Sequence, residues 1–109
     1  MRLRSIVVLG AGLTTLGLAA WAAAAAPVPR ELQIREFKFL PPTVAVASGT
    51  TVKWVNRDEE THTVTSATGA FTSPALEHDG AFAHTFAQPG TYTYFCALHP
   101  LMRATITVK

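Results

Sequence analysis

Gly90-Thr91-Tyr92-Thr93-Tyr94-Phe95-Cys96-Ala97-Leu98-His99-Pro100-Leu101-Met102-Arg103-Ala104-Thr105-Ile106-Thr107-Val108-Lys109 alternates with period two on either side of a short break. Tyr92, Tyr94 and Cys96 share one parity. Ala104, Ile106 and Val108 share another, with Thr105, Thr107 and Lys109 opposite. Successive side chains of a strand point to opposite faces, so both runs read as strands with one buried side. Continuing backwards from Ala104 places Met102 on the inward face. A tight connection therefore aims the thiol of Cys96 and the thioether of Met102 at one point, with the imidazole of His99 between them.

The rest of the chain after Pro27 follows the same grammar. Leu32 and Ile34 share one parity and Phe37 and Phe39 the other, which predicts a bulge near Arg35–Glu36. Val44 and Val46 alternate before a Ser48–Gly49 turn, and Val52, Trp54 and Asn56 share the next face. His62 and Val64 share the face of a short strand. Residues 69–80 read mostly as loop, followed by alternating Phe82, His84 and Phe86 and a Gln88-Pro89-Gly90 turn. Six to eight short strands with regular turn signals, and no helical period, predict an all-β chain folded as a Greek-key β-sandwich.

Composition narrows the function. Lys plus Arg number 9 and Asp plus Glu 7, but Arg2 and Arg4 stand at the extreme N-terminus, leaving 7 against 7 in the remainder. That balance argues against nucleic acid as a partner, which needs surplus clustered cations. Of the first 26 residues, 18 are apolar, preceded and interrupted only by Arg2, Arg4 and small or hydroxyl side chains. A positive start, an apolar stretch from Ile6 to Leu18 and the alanines 22–26 match an export signal over residues 1–25. An uncleaved anchor is the alternative. The expected mature domain spans residues 26–109, is periplasmic and bacterial, has no stable membrane association after cleavage and is a monomer. With one cysteine it has no intramolecular disulfide.

Cys96-x-x-His99-x-x-Met102, together with His62 at an upstream strand end, is the candidate for chemistry. Two His, one Cys and a weakly held Met form the donor set of a blue-copper electron-transfer site. Each part has a plainer reading: a buried Cys as a small hydrophobe, Met102 as core, Cys-x-x-His as part of a zinc or thiol-nucleophile site. Structural zinc sites usually carry more than one Cys, and a nucleophile needs an exposed thiolate. His84 reads as a packed strand residue and His78 as solvated. Asp58-Glu59-Glu60 reads as a solvated acidic turn, with docking of a basic partner as the alternative.

Phe37-x-Phe39-x-Pro41, Val44-x-Val46-x-x-Gly49-x-x-Val52-x-Trp54-x-Asn56 and His62-Thr63-Val64 resemble the plastocyanin/azurin family of cupredoxins. Gly90-Thr91-Tyr92-x-Tyr94-x-Cys96 and His99-Pro100-x-Met102-Arg103 are most similar to its amicyanin branch. The resemblance covers roughly residues 34–109 and implies a cupredoxin-like sandwich of about eight strands. It implies one type 1 copper ion held by His62, Cys96 and His99 with Met102 axial, and an Asn56 that hydrogen-bonds near the cysteine loop. The implied role is a soluble carrier of single electrons, not an enzyme. Its partners would be redox proteins, with a dehydrogenase as donor and a c-type cytochrome or oxidase as acceptor, docking transiently around His99. A periplasmic copper carrier or store with the same ligands is the alternative. Thr61 stands where amicyanins have Pro, and only a few residues would precede Leu32 after cleavage.

Overall fold

A computed structural model describes residues 26–109, together with residue 3 and residues 10–12. The expected export signal lies almost entirely outside the described residues. Among those described, no helix is long and apolar enough to cross a membrane.

Among the described residues, eight strands follow in order: β1 (Arg30–Arg35), β2 (Lys38–Leu40), β3 (Thr43–Val46), β4 (Thr50–Asn56), β5 (Thr65–Ser66), β6 (Ala81–Phe86), β7 (Gly90–Cys96) and β8 (His99–Val108). They form two four-stranded sheets, ordered β2-β1-β4-β6 and β3-β8-β7-β5. Most neighbours are antiparallel, but β1 runs parallel to β4 and β3 parallel to β8. The expected all-β sandwich of about eight strands is the observed architecture.

Alternation accounts for the layers. In β4 the buried Val52, Trp54 and Asn56 share the inward face, and in β8 Met102, Ala104, Ile106 and Val108 do the same. Trp54 stands at the centre of an aromatic core. It stacks on Phe71 and Phe82, both with centroids 5.9 Å away, and meets Tyr94 edge-on at 5.4 Å. Phe82 is partly buried, whereas a fully buried side chain such as Trp54 or Tyr94 contributes about 1.5–3 kcal/mol of hydrophobic stabilisation. Gly49, with φ of 91°, makes the turn from β3 to β4 that a side chain would strain.

One element differs from expectation. There is no bulge at Arg35–Glu36: Arg35 pairs with Lys38, and Glu36 and Phe37 form a two-residue hairpin turn with φ of 50° and 57°. Two consecutive positive φ values are what a tight hairpin demands, because that turn matches the twist of the strands. The turn also reverses the chain, so Ile34 and Phe39 pair across the hairpin and both face the core, while Phe37 projects from its tip. The parity change is real, but a hairpin turn causes it.

Candidate metal centre

Four side chains from three segments converge at one end of the sandwich. Cys96 is the last residue of β7 and His99 the first of β8, and they pair directly, leaving Ala97-Leu98 as the connection. His62 lies in the chain between β4 and β5, held by reciprocal backbone bonds with Leu76: His62 N–H donates to Leu76 O at 3.1 Å and Leu76 N–H to His62 O at 2.8 Å. Met102 is buried three residues further along β8 and, with His99, Phe37, Pro100 and Leu101, lines an open apolar depression on the surface.

Cys96 and His62 are fully buried, and His99 is half-buried. Their ligand atoms all lie within 4.8 Å of one another. Nδ1 of His62 is 3.7 Å from the Cys96 sulfur, and Nδ1 of His99 is 3.6 Å from it. Both rings thus turn the same nitrogen to a single sulfur. The Thr63 amide donates to Cys96 Sγ at 3.3 Å, favouring negative charge there, and the Ala97 amide donates to Thr63 Oγ1 at 2.7 Å. The expected short strand containing His62 and Val64 is instead extended chain with isolated bridges, and β5 begins only at Thr65.

The supporting residues divide the work differently from the reading of the sequence. Asn56 is fully buried, but its side-chain amide donates to Glu60 O at 2.8 Å and Leu76 O at 2.9 Å, and its Oδ1 accepts from the Asp58 amide at 3.0 Å. It therefore fixes the segment leading to His62, and Thr63 makes the bonds to the cysteine loop. Asp58, expected in a solvated acidic turn, has only 12% of its side chain exposed. Its Oδ2 lies 2.8 Å from His62 Nε2 and accepts from the Phe37 amide at 2.9 Å, while Oδ1 accepts from the Glu36 amide at 2.7 Å. Burial is the largest single influence on this carboxyl and raises its pKa. The Phe37 amide, the His62 ring and the Glu36 amide together outweigh burial and hold it below the usual 3.8. It is ionised at neutral pH.

Phe37, which alternation assigned to a strand, also belongs to the site. Its ring meets the His62 ring edge-on at 5.1 Å and the His99 ring at 5.0 Å. Together with Leu98 and Leu101, which are 55% and 97% exposed, it surrounds His99 with apolar surface. His84 packs at 5.0 Å on Phe71 and 4.8 Å from Phe86, where burial lowers its pKa. His78 is exposed, with Nδ1 3.0 Å from the Asp58 carbonyl oxygen. Neither belongs to the cluster of His62, Cys96 and His99.

A thiol and two imidazole nitrogens aimed at one buried point suit a metal of soft to intermediate character, and a thioether nearby favours copper over zinc. The chain matches the cupredoxin-like domain family over residues 6–108. It belongs to the cupredoxins. Among curated relatives of this cupredoxin, amicyanin from Paracoccus versutus is 38% identical over 94 residues, covering 79% of this chain and 71% of that protein. Amicyanin from Paracoccus denitrificans is 34% identical over 83 residues, covering 72% and 63%. A reduced Cu(I) form of an amicyanin variant at pH 4 superposes with a TM-score of 0.71 at 31% identity, covering 74% of this chain and 82% of that one. A Cu-containing nitrite reductase from Thermus scotoductus also matches, with a TM-score of 0.71 and 30% identity, covering 76% of this chain but only 23% of its own.

Proposed function

We propose that this cupredoxin is a type 1 copper protein that carries single electrons, in which His62, Cys96 and His99 would hold the metal and Met102 would supply a further, weaker thioether donor. The convergence of the three close ligand atoms within 4.8 Å carries the reading. Copper held there would supply a one-electron couple and, through the thiolate, an intense visible charge-transfer band. The protein's own residues do the rest. The sandwich walls fix Cys96 and His62 where water does not reach. The Thr63 amide stabilises the thiolate. Rigid placement from separate elements lets the ligands keep one geometry through both oxidation states.

His99 is the exposed edge of this arrangement, set among Phe37, Leu98 and Leu101. A small apolar rim of this kind supports brief docking with a redox partner rather than a permanent interface. The partners we propose are a dehydrogenase as donor and a c-type cytochrome or oxidase as acceptor. The amicyanin relatives support the role of carrier, and the nitrite reductase matches over only a fraction of its length. Residues 1–25 are proposed as a removed export signal and residues 26–109 as the mature periplasmic domain. Two fully buried ligands favour retention of the metal and so an electron carrier over a copper delivery protein.

Redox cycling tests the proposal. Protein loaded with one equivalent of copper should take up and release one electron reversibly, its colour bleaching and returning, while a Cu(I) chelator in the buffer removes little metal. Loss of copper to the chelator at each reduction would favour delivery, and absence of a reversible couple would refute the carrier.

A further inference from the structure

Three nitrogens converge on the carboxylate of Asp58, and they come from two parts of the molecule with different duties. The amides of Glu36 and Phe37 belong to the exposed hairpin turn; the third group, His62 Nε2, belongs to a fully buried ring. The turn needs an anchor. Both residues hold positive φ without being Gly or Asn, a conformation in which the Cβ crowds the following carbonyl oxygen. A bulky residue such as Phe37 is unusual there. Hydrogen bonds to a charged acceptor are among the stronger ones in proteins and offset that crowding. The ring needs a tautomer. An ionised carboxylate only accepts, so a proton on Nε2 leaves the Nδ1 lone pair facing the Cys96 sulfur.

We infer that Asp58 is a positioning residue whose carboxylate sets His62 in the Nε2–H tautomer and, through the same two oxygens, holds Phe37 edge-on against His62 and His99. The inference rests on the ligand role proposed for His62. It ties the buried side of the site to its exposed rim through one side chain. The rim is thereby as fixed as the ligand, although Phe37 itself is 43% exposed and sits at a hairpin tip.

Asp58→Asn tests this, because it keeps the shape and leaves one acceptor oxygen where two served three donors. The first readout is the tautomer of His62 in metal-free protein, from ring-nitrogen NMR. Wild type should show the Nε2–H form, and the variant should lose that preference. The second readout is exchange of the Glu36 and Phe37 amide protons, which should become at least about tenfold faster. Copper affinity should fall by about 10–100-fold, the usual effect of losing a partner that orients a ligand. Asp58→Glu, which retains two acceptor oxygens, should restore the tautomer. Phe37→Ala, which keeps the backbone amide, should leave the tautomer unaltered. A wild-type His62 in the Nδ1–H form would overturn the inference even if no variant folded. So would Asp58→Asn with wild-type tautomer, amide protection and copper affinity. The tautomer and exchange are read without metal, so they stand apart from the copper reading, which is judged separately by whether wild type forms the coloured complex.

Discussion

Trp54 donates its indole N–H to the Tyr94 hydroxyl at 3.1 Å, bridging the two sheets inside the core. Tyr94 lies two residues before Cys96 on the same inward face, so this bond steadies the strand that presents the sulfur. Tyr94→Phe would leave the indole N–H buried and unpaired, a loss of about 1–3 kcal/mol at neutral pH by urea titration. Burial, only partly opposed by the Trp54 bond, pushes the Tyr94 pKa up from 10.0 to about 12. The unfolded chain therefore releases this proton before the folded one does. The stabilising effect of a neutral Tyr94 is complete below about pH 10 and is lost as pH rises toward about 12. The stability gap between wild type and Tyr94→Phe should consequently narrow over that alkaline window. A gap that stayed constant would show that Tyr94 ionises equally easily in both states.

The hairpin joining β1 and β2 is where the elements and the amino-acid pattern part company. Tight hairpin turns favour Asn-Gly, and this one uses Glu36-Phe37. Replacing Glu36 with Asn, which tolerates positive φ, should raise stability by about 0.5–1 kcal/mol, measured as a higher urea midpoint. A lower midpoint would show that the turn is not strained at Glu36. The same feature marks the limit of what the residues alone disclose. Alternation in β4, β7 and β8 depends on neighbours in the chain, so Trp54, Cys96 and Met102 could be assigned to their faces from the sequence. The ligand spacing Cys96-x-x-His99-x-x-Met102 is equally local. The Glu36-Phe37 turn lacks its usual residues and so resembles a bulge. Asp58 is concealed within an acidic run, because its partners at Glu36 and Phe37 are 22 and 21 residues away and no local pattern marks them. Phe37 likewise reads as a core strand residue until the turn places it over the imidazoles.

In the whole molecule, the proposed ligands close the sandwich at one end without a disulfide, and Cys96 and His62 are 34 residues apart. A ligand that binds only the folded state stabilises it, by about 2.7 kcal/mol at one hundred times its dissociation constant. For a domain of this size, copper loading should raise the thermal midpoint by roughly 10–20 °C. Equal midpoints with and without copper would mean that the metal does not bridge these elements. Whether one buried sulfur and two imidazoles form a single blue-copper site is read most plainly in the visible spectrum during Cu(II) titration of the metal-free protein. An intense blue charge-transfer band should grow linearly, stop at one equivalent and be absent from Cys96→Ala. A pale or colourless protein at saturation, or a band that survives the loss of Cys96, would show that these three side chains do not share a copper ion.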